Sequence, residues 1–200
     1  MPRTKDQNEL IKQQRDAQIL NSALYLFSMK GFDGTTLDEL SNLSKCSHGL
    51  LYHYYPSKID LYNAVIEKVA NPLSATLVKD INFNQKAKFV MIDIIDHFLD
   101  ALKSQNDEYA WAINLLLNIR LQTGFKLMPT AKETTTKIYD FLYESIEKGK
   151  EEGDFNKNRN SKEQVISIVS LMKGLSYTRI RTGYRKFICP SVDIVMGMLY

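Results

Sequence analysis

Residues 35–58, TTLDELSNLSKCSHGLLYHYYPSK, hold two short helical patterns, a tight turn between them and the start of a third helix. The first pattern opens on a capping box, Thr36-x-x-Glu39, in which the hydroxyl accepts a helix N-terminal N–H and the carboxylate reaches back to the N–H of the cap. Leu37, Leu40 and Leu43 then form a short apolar stripe that needs another helix to cover it. The stripe stops at Ser44-Lys45-Cys46. Ser47 is the next good N-cap, and the helix it opens, HGLLYHYY, turns Leu51 and Tyr55 inward while His48, Gly49, Tyr52 and His53 face outward. Pro56 ends that helix near Tyr55, and Ser57 caps a new one with Lys58 in its first turn. A lysine there meets the positive end of the helix dipole, a conflict that a bound phosphate would resolve. The stretch reads as a helix-turn-helix.

Gly31-Phe32, Thr35-Thr36, Ser47-x-Gly49-x-Leu51-Tyr52-x-Tyr54-Tyr55 and Ser57-Lys58-x-x-Leu61 resemble the amino-terminal DNA-binding domain of the TetR family of bacterial transcriptional regulators. The match runs from about residue 15 to residue 65. The resemblance implies an all-α chain of about nine helices in total. Residues 1–56 would be a three-helix helix-turn-helix DNA-binding domain, with the motif at about 35–55. Residues 57–200 would be a helical bundle for ligand binding and dimerisation. It further implies that His48, Gly49, Tyr52, His53 and Tyr54 line the major groove or its walls, and that Thr36, Ser47 and Lys58 hold phosphates. Gly49, with no side chain, lets the backbone approach the sugar-phosphate closely. The sequence departs from the family at Lys45, where a glycine often makes the turn, and at Tyr55, where a core phenylalanine is usual.

Composition supports a folded helical protein. Hydrophobic residues make up 44% of the 200, and nine Gly and five Pro are few enough for an all-helical chain. No apolar run is long enough to cross a bilayer and the start, MPRTKDQNEL, is not a secretory signal, so a cytoplasmic location with no membrane partner is expected. Cys46 and Cys189 lie in different segments without metal-type spacing, so they are expected to be reduced, with Cys46 packing the turn. A net charge of +3 does not by itself indicate nucleic acid, and the placing of contacts must matter more than their number.

Along the chain, the first ten residues read as frayed. A helix ending at Lys30 then carries Ile19, Ala23 and Phe27 with Leu20 and Leu24, the face that covers the helix-turn-helix, and Gly31 closes it as a left-handed C-cap. From Lys58 a helix with Leu61, Val65 and Val69 inward, and Asp60, Glu67 and Lys68 in solvent, runs to a break or kink at Asn71-Pro72. Residues 84–102 form a bundle helix bearing Phe89, Ile92, Ile95 and Phe98, with His97 at its boundary. Residues 107–122, apolar nearly all round, form the buried central helix. Thr130-x-x-Glu133 caps a helix that ends in the solvated run Lys148, Lys150, Glu151 and Glu152, closed by Gly153. Ser161-x-x-Gln164 opens the penultimate helix, which reaches about Thr182. This helix and the apolar ending Val192, Ile194, Val195, Met196, Met198, Leu199 and Tyr200 need a cover. The family pairs its last two long helices with those of a second subunit, which implies a homodimer through about 161–200.

The resemblance therefore implies a repressor acting on a double-stranded, near-palindromic operator and released by a small-molecule effector of unknown identity. The candidate pocket residues are Tyr109, Trp111, Tyr139, Tyr143 and Tyr177, with Phe98 and Arg120 as neighbours. No cofactor is implied. Catalysis is not expected: His48, His53 and His97 have no metal-ligand spacing, no phosphate loop or nucleophile elbow is present, and Asp93 with Asp96 is a solvated helical pair. The alternative is an all-helical dimeric protein-interaction module whose helix-turn-helix does not bind specific DNA, which would leave Tyr52, His53 and Lys58 unexplained.

Overall fold

The computed structural model describes residues 5–77, 80–119 and 129–200. Among them are nine helices and no strand: α1 (Lys5–Lys30), α2 (Leu37–Ser44), α3 (His48–Tyr54), α4 (Lys58–Leu77), α5 (Ala87–Lys103), α6 (Asp107–Asn118), α7 (Pro129–Glu151), α8 (Ser161–Thr182) and α9 (Val192–Met196). They fall into two compact units, Met1–Lys68 and Val69–Tyr200. Arg120 and the connection 124–128 lie outside the described residues, as do the side chains of Thr130 and Glu133.

In the amino-terminal unit, α1 presents Ile19, Ala23, Leu24 and Phe27, all buried, and the core is completed by Leu40, Leu51, Leu61, Tyr62 and Val65. Phe27 and Phe32 both meet the Tyr62 ring edge-on, with centroids 4.9 and 5.3 Å away. Gly31 sits at φ 69 and its N–H closes α1 on the Phe27 carbonyl at 3.0 Å. Four expectations need correction. Residues 5–10 are helical, not frayed, because the run from Lys5 to Arg15 contains no Gly or Pro and is rich in strong helix formers. Leu43 is exposed while Ser44 is buried, since a strict three-residue spacing drifts off one face of a 3.6-residue helix. Pro72 does not end α4, which continues to Leu77. A proline costs about 3 kcal/mol inside a helix. The buried Leu61, Tyr62, Val65, Ile66 and Val69 contribute roughly 1.5–3 kcal/mol each, which outweighs it. Lys68 also leaves the solvated group, donating to Asn21 Oδ1.

In the carboxy-terminal unit α6 is the central helix. Residues 112–117 along it are all buried, Asn114 included, and it packs chiefly on α8. Phe89 of α5 is exposed, and the face turned inward is Val90, Met91, Ile95, Phe98, Leu99 and Leu102, again because the three-residue spacing slips out of register. The end of α7 is solvated at Lys148 and Glu151 but not at Lys150 and Glu152. Lys150 is buried and donates to the Arg159 carbonyl and the Ser161 hydroxyl, because the chain folds back over it. Glu152 Oε2 accepts the Ala87 N–H at 2.8 Å and so caps α5, whose own N-cap residue Lys86 makes no side-chain cap. Asn160, not Ser161, caps α8, taking the N–H groups of Lys162 and Glu163 at 2.9 and 3.4 Å.

The apolar ending finds part of its cover within its own chain. Val195, Met196 and Leu199 are buried, α9 packs on α5, and the Leu199 carbonyl accepts the Asn156 N–H at 3.0 Å. Five residues of helix cannot supply the second long helix that the family pattern pairs across a dimer. Exposed large apolar residues here are Ile188, Ile194, Tyr184 and Tyr200 and, on α8, Ile166 and Tyr177.

Candidate nucleic-acid interface

The helix-turn-helix is held by caps and by buttresses from α1. Thr36 Oγ1 accepts the Glu39 N–H at 3.2 Å, and Glu39 Oε2 accepts the Thr36 N–H at 3.1 Å, so the capping box is complete. Glu39 also pairs with Lys30. The Lys30 ammonium, followed by the Thr36 N–H, holds the Glu39 carboxyl below its ordinary range. A depressed carboxyl stabilises the fold above its unfolded pKa and loses that contribution as pH falls through the folded one, so the start of α2 is intact at neutral pH and weakens only in acid.

The turn uses Lys45 in the left-handed region, φ 51 and ψ 41, in place of the usual glycine. The Lys45 N–H bonds back to Asn42 at 3.3 Å and the Cys46 N–H to the Ser41 carbonyl at 3.0 Å. From α1, Arg15 Nη1 donates to Gln18 Oε1 at 3.0 Å and to the Lys45 carbonyl at 3.4 Å, which pins the turn. Cys46 is a buried free thiol, as its packing role requires.

α3 begins with Ser47 Oγ accepting the Leu50 N–H at 3.2 Å. Its inner anchors are Leu51, 2% exposed, and Tyr55, whose hydroxyl donates to Asp16 Oδ1 at 2.5 Å. Burial, reinforced by the Asp16 carboxylate, pushes the Tyr55 phenol well above its ordinary value, so it stays neutral. The outer face carries exposed His48, Gly49, Tyr52 and His53, with Tyr52 45% exposed. His48 Nε2 lies 3.0 Å from Asp38 Oδ1 of α2. Tyr54 is turned partly back, its ring edge-on to His53 and its hydroxyl 3.5 Å from the Lys12 carbonyl.

Lys58 is placed otherwise than expected. Its Nζ donates to the carbonyls of Phe32 and Thr35 at 2.8 and 2.9 Å and lies 4.2 Å from the centre of the Phe32 ring. Those acceptors offset the repulsion of the α4 dipole without any phosphate, and they leave one ammonium N–H for another partner. Lys58 thus fastens α4 to the α1–α2 turn. Lys58→Met, which keeps the apolar stem and removes the donors, is expected to cost the amino-terminal unit about 1–2 kcal/mol, read as a lower urea midpoint.

Thr36, Ser47, His48, Gly49, Tyr52 and His53 are therefore exposed at the starts of α2 and α3 and along α3, with Tyr54 and Lys58 partly engaged by the protein itself. Arg15, Asp16 and Lys30, which hold this surface in place, were not singled out by sequence because their partners lie 9 to 39 residues away. Gly49, in the first turn of α3, has no positive φ, and a Cβ built on it would meet nothing within 4 Å, as is also true of Gly174 in α8. Nothing in the protomer requires a glycine there.

The residues expected at an effector pocket are not gathered in this way. Phe98 is a core residue of α5, 1% exposed, whereas Tyr143 and Tyr177 are on the surface. Tyr109, Trp111 and Tyr139 are half-buried, and Arg120 is outside the described residues. Tyr143 lines a polar cleft of about 350 Å³ with Glu147, Lys157 and Lys162. No group of three or more potential metal ligands occurs among the described residues, and no described helix is long and apolar enough to cross a membrane.

Residues 19–65 match the bacterial regulatory proteins of the tetR family, a span that holds the whole helix-turn-helix and the start of α4. The chain is 27% identical over 137 residues to the biofilm operon icaADBC HTH-type negative transcriptional regulator IcaR of Staphylococcus epidermidis, an alignment covering 66% of this chain and 72% of that one. It is 30% identical over 82 residues to IcaR of Staphylococcus aureus, covering 41% of this chain and only 42% of the relative. Among solved structures, AibR in complex with isovaleryl coenzyme A and operator DNA has the same fold, with a TM-score of 0.68 at 15% identity over 93% of this chain and 98% of that one.

Proposed function

We propose that the chain is a homodimeric transcriptional repressor of the TetR family of bacterial regulators, one that binds a near-palindromic operator and is released by a small-molecule effector. Gly49 carries the reading. A glycine in a helix costs up to about 1 kcal/mol relative to alanine, and no contact within the chain requires one in the first turn of α3. A backbone that must come very close to another molecule accounts for it.

Placed in a major groove, the exposed start of α3 puts its backbone against the sugar-phosphate at Gly49 and sets His48, Tyr52, His53 and Tyr54 toward base edges or groove walls. Thr36 and Ser47 stand at helix starts, where free N–H groups and hydroxyls suit phosphate oxygens. Lys58 contributes through the position it gives α4 and through its remaining N–H. A net charge of +3 supplies little non-specific attraction, so affinity comes from these contacts made twice. Two-fold pairing separates the half-sites by about one helical turn of DNA or somewhat more.

The negative regulator in Staphylococcus epidermidis supports repression over activation. A fold neighbour in complex with both isovaleryl coenzyme A and operator DNA supports a small-molecule effector. We place the effector by the half-buried Tyr109, Trp111 and Tyr139, since Phe98 is a core residue and Tyr143 and Tyr177 face outward. Coupling is reciprocal: an effector that favours the DNA-incompetent form binds the DNA complex more weakly by the same factor by which it weakens DNA binding.

Tyr52→Ala tests the assignment. The variant should keep the parent's helicity and association state and bind the parent's selected duplex at least tenfold more weakly, about 1.4 kcal/mol or more. Unchanged affinity in a folded variant would remove α3 from the interface.

A further inference from the structure

The end of α7, the start of α8 and the connection between them form the polar cleft of about 350 Å³ that Tyr143 lines. Tyr143, Glu147 and Lys150 come from one face of α7 at helical spacing, and Asn160, Ser161 and Lys162 from the start of α8. Lys157 and Arg159 enter from the connection. Four cations thus stand around the cleft against one carboxylate. That excess of three equals the net charge of the whole chain, +3, so the other charges balance and the positive surplus gathers here. Among the described residues, Lys157, Arg159 and Lys162 pair with no carboxylate.

The walls are held by the chain itself. The Asp154 and Phe155 N–H groups close on the Gly149 carbonyl at 2.9 and 3.1 Å, and Gly153 takes φ 80, which turns the chain back along α7. Buried Lys150 donates to the Arg159 carbonyl and the Ser161 hydroxyl, and Ser161 donates to Glu147. What these bonds leave unused is mostly donors. Asn160 spends its Oδ1 on the Lys162 and Glu163 N–H groups and keeps its amide N–H pair. Arg159 gives Nη1 to the Met198 carbonyl at 3.1 Å and keeps its other N–H groups, while Lys157 and Lys162 keep whole ammonium groups. The dipole of the 22-residue α8 adds positive potential at the same end. Donors with a positive surplus suit an oxyanion, and a surplus of this size suits a dianion.

We infer that this cleft binds the phosphate group of a small phosphate monoester. Such a group carries about −1.5 to −2 charges at neutral pH and three strong acceptor oxygens, which Lys157, Arg159 and Lys162 can share. The volume is at the low end for a ligand pocket, enough for one phosphate and a short polar remainder beside the Tyr143 hydroxyl. The cleft lies wholly within the carboxy-terminal unit, and the inference stands whether or not α3 reads DNA.

Isothermal titration of the full-length protein at constant ionic strength tests it, with glycerol 3-phosphate, inorganic phosphate and glycerol as probes. Glycerol 3-phosphate should bind at one site per chain and more tightly than inorganic phosphate, and glycerol should not bind. The double variant Lys157→Gln, Lys162→Gln changes two exposed residues, so it should keep the parent's helicity by circular dichroism while binding the ester about tenfold more weakly. Lys157→Arg with Lys162→Arg should restore binding to near the parent value. Lys148→Gln removes an exposed α7 lysine that faces Glu152 and does not line the cleft, and should leave binding unchanged. Unchanged affinity in the glutamine pair, or an equal loss in Lys148→Gln, overturns the site. Inorganic phosphate binding as tightly as the ester overturns the monoester in favour of free phosphate. A parent that binds neither phosphate probe overturns the inference, and loss of duplex affinity in the glutamine pair would then assign the cleft to a nucleic-acid backbone.

Discussion

A Gly49→Ala protein should unfold at a higher temperature than the parent and bind its duplex about a hundredfold more weakly, a loss of about 2.7 kcal/mol. The two effects have separate origins. In the free protein the added methyl meets nothing within 4 Å and the residue already has helical geometry, so alanine only narrows the unfolded ensemble, for a gain of about 0.4–1 kcal/mol. On DNA the same methyl stands between the α3 backbone and the sugar-phosphate. The cost is incurred once per half-site, so a modest loss of about 1.4 kcal/mol is doubled by symmetry. Thermal melting and a binding titration on one preparation read both. A gain in stability without loss of affinity would show that the glycine answers no external partner.

The second large effect is on stability alone. Arg179→Ala is expected to destabilise the carboxy-terminal unit by about 3 kcal/mol, seen as a lower urea midpoint at neutral pH. Arg179 is 1% exposed and reaches from α8 to the α5–α6 connection. Its Nε donates to the Leu102 carbonyl and its Nη2 to the Ser104 carbonyl, both at 2.8 Å, while Nη2 also lies 2.8 Å from Asp107 Oδ1 in the first turn of α6. The carbonyls at the end of α5 have no intrahelical donor, so this one guanidinium serves the end of one helix and the start of the next. Asp107 is half-exposed and water can replace its partner, so the loss falls on the two carbonyls and on the cavity. Lysine should not restore the stability, because a single ammonium does not reproduce the planar fork. A midpoint equal to the parent's would contradict this account.

The helix-turn-helix was legible because its determinants are local. The Thr36–Glu39 box, the Ser47 cap and the Pro56 stop each act within four residues, and each stands where the sequence puts it. Leu43 and Phe89 misled through spacing: both continue a three-residue series that a real helix rotates out of the core. Lys58, Lys150 and Arg179 could not be read, because a lysine or arginine in sequence looks solvated, and what buries it is a carbonyl supplied 9 to 77 residues away. Lys58 shows the consequence most clearly. The conflict with the helix dipole was real, but the protein resolves it with its own Phe32 and Thr35 carbonyls. The effector pocket was the least legible feature, since an aromatic at helical spacing carries the same pattern whether it packs a core, as Phe98 does, or faces solvent, as Tyr177 does.

The central claim is that the exposed face of α3 reads specific DNA in pairs. Its most direct test is selection of bound duplexes from a random double-stranded library by the full-length protein. The account predicts enrichment of a near-palindrome whose two half-sites are separated by about one helical turn or somewhat more, and loss of that enrichment with Tyr52→Ala. A library that emerges without any enriched palindrome would contradict it, and would favour an all-helical dimer whose partners are proteins.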